Sequence, residues 1–104
     1  MEVLTVIWST GSCDDHGNAH SYAGVHGIYN SEESAKRGLV ECKDEIVRET
    51  LSSMCFDEDE DPSEHRDRIQ IYGSVEDSFF EIDYTLGDQS TEVYIGITPA
   101  YTKD

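Results

Sequence analysis

Positive charge is what this sequence has least of. Seven Lys and Arg stand against 23 Asp and Glu, a formal net charge of −16. Such a chain repels polyanions, so the expectation is no direct binding to DNA, RNA or an anionic membrane. A basic protein surface, or a shell of cations, is its natural complement. Long apolar runs are also missing. Val3 to Trp8 is too short for a signal peptide and has no basic leader, and nothing approaches transmembrane length. The three cysteines, Cys13, Cys42 and Cys55, cannot all pair within one chain. Reduced thiols in a cytoplasm are the simpler expectation. The motifs of common enzymes are absent as well: no G-x-S-x-G, no P-loop, no Rossmann glycines, no H-E-x-x-H. Cys13 with His16 or His26 has the residue types of a thiol and its base, but no placed orienter. The expectation is a non-catalytic protein with no cofactor.

The acids that are present are unevenly placed. Every base except Lys103 falls between Lys36 and Arg68. The stretch Phe79 to Thr98 therefore carries acids with no local cation. It reads as two strands around a polar turn. Phe80, Ile82 and Tyr84 alternate with Phe79, Glu81 and Asp83; Val93, Ile95 and Ile97 alternate with Glu92, Tyr94 and Gly96. Strand side chains point to opposite faces, so each strand has one apolar face and one acidic or aromatic face.

The rest of the chain, residues 1–104, reads as one domain around that hairpin. Val3 to Ser9 is a strand, and residues 10–22 form a long polar loop rich in Gly, Asp, Asn and Ser. Gly24 to Tyr29 is a second strand. Asn30 or Ser31 caps a helix, with Asn30 and Glu33 at capping-box spacing. Its buried stripe is Leu39, Cys42, Ile46, Val47, Thr50, Leu51 and Met54. Residues 56–67 form an acidic loop, because consecutive carboxylates repel one another and Pro62 ends regular structure. Arg68 to Val75 is the third strand, and Pro99 to Asp104 is a tail. The expected fold is α+β: a mostly antiparallel five-stranded sheet in the order β-β-α-β-β-β, with one helix on one face. One helix covers only one face. The other face is expected to carry Tyr72, Glu81, Asp83, Glu92 and Tyr94.

Two further groups have ligand chemistry. Asp57, Glu58, Asp59, Glu60 and Asp61 would add charge beside the acidic face. Cys13, His16 and His20 form Cys-x2-His-x3-His, donors that zinc accepts, without a second half-site. A polar turn-rich loop is the plainer account of that segment.

The segment Ile28, Tyr29, Asn30, Ser31, Glu32, Glu33, Ser34, Ala35 resembles the strand-then-helix opening of many small phage proteins. In size and acidity the chain is similar to phage-encoded inhibitors of bacterial defence, of anti-CRISPR and anti-restriction type, that imitate DNA. That resemblance implies a cytoplasmic protein, acting in a bacterial host, that blocks a nucleic-acid-binding protein. Carboxylates would stand in for phosphates, and Tyr72, Tyr84 or Tyr94 for stacked bases. The alternatives are a self-associating structural or accessory domain, for example a homodimer formed through a sheet edge, and a small zinc-binding protein using the 13–20 loop.

Overall fold

The structure, a computed structural model, describes residues 2–14, 17, 19–55 and 59–101. It is an α+β fold with five strands and one long helix. The strands are β1 (Glu2–Cys13), β2 (Ala19–Tyr29), β3 (Ile69–Ser74), β4 (Phe79–Leu86) and β5 (Gln89–Tyr101). Helix α1 (Glu32–Ser53) follows β2, and a 3-10 helix (Pro62–Arg68) precedes β3. The sheet order is β2-β1-β5-β4-β3, and every neighbouring pair is antiparallel.

β5 lies at the centre because it pairs along nearly its whole length with β1 and over residues 89–96 with β4. Its 13 residues at roughly 3.4 Å each account for most of the 48 Å long axis. The segment expected as a tail is therefore strand as far as Tyr101, held opposite Glu2. The expected polar loop 10–22 is also corrected. β1 continues to Cys13 and β2 begins at Ala19, with Thr10 opposite Tyr22 and Cys13 opposite Ala19. Low strand propensity loses here because β1 hydrogen-bonds on both sides, to β2 and to β5, right to its end.

Helix α1 is capped by Ser31, whose hydroxyl accepts from Ser34 N at 3.1 Å, not by Asn30. Leu39, Cys42, Thr50, Leu51 and Met54 are buried as the periodicity required, and Ile46 and Val47 pack against the cluster. They meet Val6, Phe80, Ile82, Val93 and Ile95 from the sheet. Gly38 has a specific task. The Tyr29 ring lies directly over it, and a Cβ there would overlap the phenol. Gly24 does the same for Trp8, whose ring would sit 2.6 Å from an added Cβ.

The acidic loop expected over 56–67 ends early. Pro62 opens the 3-10 helix at its first turn, where a missing N–H costs nothing. Asp61 caps it, accepting from Ser63 N at 3.0 Å.

Candidate functional site

Register decides what shares the helix-free face. Residues opposite one another in adjacent antiparallel strands point to the same side. One rung runs Tyr72, Glu81, Tyr94, Ser9, Ala23 across all five strands. The next runs Gln70, Asp83, Glu92, Gly11, Ser21. Glu81, Asp83 and Glu92 thus occupy two adjacent rungs of β4 and β5. Tyr72 and Tyr94 flank Glu81 and are each 48% exposed. Tyr84 has the opposite parity, lies opposite Ile69 and Thr91, and belongs to the helix-covered face; it is removed from the set of outward tyrosines.

The electrostatics of this patch follow from its geometry. Asp83 is directly opposite Glu92 and shares its strand face with Glu81. Partial burial pushes the Glu81 carboxyl above its ordinary value, the charges of Asp83 and Glu92 push it further, and a hydrogen bond with Asp83 favours the protonated form. Asp83 Oδ1 is buried with no hydrogen-bond donor among the described residues. The close ion pairs Lys36–Glu32 and Lys43–Asp44 lie on the helix. No Lys or Arg points from the open face among the described strand residues. Arg68 borders a cleft of about 450 Å³ together with Asp83 and Glu92.

The face has relief. Beside Glu81, Glu92 and Tyr94 is a trough of about 490 Å³ floored by Ser9, Gly11, Ser21 and Ala23. Small side chains on β1 and β2 make the floor low, and Tyr94 makes one wall. Phe79 stacks on Tyr94 at 5.5 Å with 6° between ring planes, which stiffens that wall.

Beyond the stack the face changes character. Ile7 lies opposite Val25, and Thr5 opposite Ile28. Ile7, Val25 and Ile28 are 39%, 60% and 66% exposed. Sequence alternation misses this patch, because residues 25 and 28 would point to opposite faces of a regular strand. A bulge between Val6 and Ile7, with His26 as the extra residue of β2, puts them on the same face.

The other expected site residues are dispersed. Asp57, Glu58 and His16 lie outside the described residues. Asp59 is exposed, whereas Glu60 faces His65 and Asp61 is spent on its cap, so these two are not free members of an acidic spray. Cys13 pairs with Ala19 and His20 with Ser12, on consecutive rungs and hence on opposite faces of the ribbon. The Cys13 and His20 side chains are not brought together as one metal site. Cys42 is a core thiol, pushed up to about 11 by burial and then by Glu45. No helix among the described residues is long and apolar enough to cross a membrane.

Comparison with protein-family models, with curated proteins and with solved structures gave no match.

Proposed function

We propose that this protein is a non-catalytic, acidic inhibitor of phage type. It acts in the bacterial cytoplasm by occupying the basic groove of a host nucleic-acid-binding protein, such as a CRISPR effector or a restriction enzyme. The observation that supports this reading is the pair of rungs holding Glu81, Asp83 and Glu92 on an uncovered face with no strand cation. Same-face residues on one strand repeat about every 6.8 Å, the axial rise of two phosphate steps in one strand of duplex DNA. Tyr72 and Tyr94 supply flat surfaces beside the carboxylates. The trough over Ser9 and Gly11 accepts the stem of an Arg or Lys reaching those acids.

The test is capture of partners from bacterial lysate at low salt, with elution by salt and identification by mass. The expected catch is a basic nucleic-acid-binding protein whose affinity falls as salt rises. It should be lost with Glu81→Lys plus Asp83→Lys. Affinity indifferent to both salt and the double substitution removes the carboxylates from the interface.

A second reading has its own observation. β2 is a long edge strand with Val25 and Ile28 exposed, the kind of edge through which copies of a chain pair. Self-association would appear as a concentration-dependent mass in light scattering, abolished by Val25→Lys.

A further inference from the structure

The segment after α1 holds a different arrangement, unrelated to the open face. Cys55, Glu60 and His65 recur every five residues. One donor atom from each of the three lies within 4.8 Å of the others. All three residues are partly buried; the His65 and Glu60 side chains are 15% and 23% exposed. His65 Nε2 meets Glu60 Oε1 directly. The Cys55 thiol points to backbone oxygens, Leu51 O at 3.5 Å and Glu60 O at 3.9 Å.

We propose that Cys55 Sγ, Glu60 Oε1 and His65 Nε2 form a site for one zinc ion that ties the end of α1 to the 3-10 helix. Thiolate, imidazole and carboxylate together select zinc over magnesium or calcium, which take oxygen donors. Ligand atoms around one tetrahedral zinc sit roughly 3–4 Å apart, so the three donors need only small side-chain adjustment to converge. The surrounding charge favours a cation. Glu60, Asp61 and Glu64 place negative potential around the Cys55 thiol, and that potential attracts a metal ion. When zinc bonds to Cys55 Sγ, the S–H bond breaks and its proton is released to solvent. Three protein donors leave a fourth position for water.

The arrangement makes a prediction about a neighbour. Arg68 Nη1 lies 3.5 Å from His65 Nδ1, as a donor to it. With zinc on Nε2 the ring proton sits on Nδ1, and that contact is given up. Arg68→Ala therefore leaves zinc affinity unchanged or raises it.

The experiment is titration of the full chain with zinc, and separately with cobalt(II), in excess magnesium. One ion per chain is expected, with a thiolate-to-cobalt charge-transfer band. Cys55→Ser and His65→Ala should each weaken binding at least about tenfold, the usual scale for a lost ligand or its support. Cys13→Ser should not. Circular dichroism on each variant checks folding. Absence of the cobalt–thiolate band in the folded wild type overturns the site, whatever the variants do. So does zinc binding that survives Cys55→Ser, or that magnesium displaces, since either marks general attraction to the acidic surface.

Discussion

Along β4, Phe80, Ile82 and Tyr84 point towards the helix, and Phe79, Glu81 and Asp83 point away from it. The same strand thus builds two faces under different constraints. On the covered face Ile82 and Ile95 are fully buried, and shape complementarity with Leu39 and Met54 leaves little freedom of choice. On the open face the rungs place Glu92 against Asp83, a juxtaposition that lowers stability. A fold indifferent to its open face would separate those charges or set a lysine among them. Carrying three acids and no strand cation there lowers stability, and the proposed partner would supply the missing cations.

The comparison breaks most visibly on the covered side. Ile82→Ala removes a side chain of zero exposure from the middle of the core and should destabilise the protein by about 2–5 kcal/mol, read by chemical denaturation. Partner affinity, measured where the variant is still folded, should hold. A loss below 1 kcal/mol would mean that the sheet and α1 are not packed as described.

The open face should respond in the reverse way. Glu81→Lys with Asp83→Lys should weaken partner binding by about a hundredfold, the scale for reversing charges central to a complementary interface. The melting temperature should stay level or rise, because the substitutions place cations beside Glu92. If the melting temperature collapses, the acids hold the fold together and are not reserved for a partner.

Much of this contrast was legible in the amino-acid order, and the failures have physical causes. Alternation over Phe79 to Thr98 located β4, β5 and the acidic rungs, because a period of two survives wherever pairing is regular. It failed at Val25 and Ile28, where one extra residue reversed the parity. The glycines and serines of 10–22 looked like a loop, since propensity knows nothing of the hydrogen bonds that β5 supplies to β1. Tyr84 is offered as a stand-in for a stacked base, although its own alternation with Asp83 places it inward. The convergence of Cys55, Glu60 and His65 is a tertiary contact, and neither strand nor helix periodicity encodes it.

Gly38 sharpens the comparison from the helix side. Propensity alone makes Gly38→Ala favourable by about 1 kcal/mol. The Tyr29 ring occupies the space a methyl would need, and overpacking of this kind costs about 1–3 kcal/mol. The net expectation is a loss of about 0–2 kcal/mol. Adding Tyr29→Leu, which withdraws the ring, should recover part of it; a stabilised Gly38→Ala would show that the ring yields freely.

The smallest effect is the most specific to the open face. The Glu81 carboxyl is held above its ordinary value by burial, then by Asp83 and Glu92. A carboxyl whose folded pKa exceeds its unfolded one stabilises the fold when protonated. That contribution is complete below the unfolded value and is lost as pH rises through the raised folded one. Asp61 runs the other way. Its hydrogen bonds from Ser63 lower it, so its contribution is present above the unfolded value and disappears only as pH falls through the lowered folded one. The two windows lie on opposite sides of the ordinary carboxylate range and do not overlap. Between neutrality and that range, acidification should therefore raise the melting temperature of the wild type. Other acids repel less in the same window, so the diagnostic quantity is a difference between proteins. Glu81→Gln should melt higher than wild type at neutral pH and gain less on acidification. Parallel curves for the two proteins would mean that Glu81 does not feel Asp83 and Glu92, and the two rungs would then lose their claim to act as one charged surface.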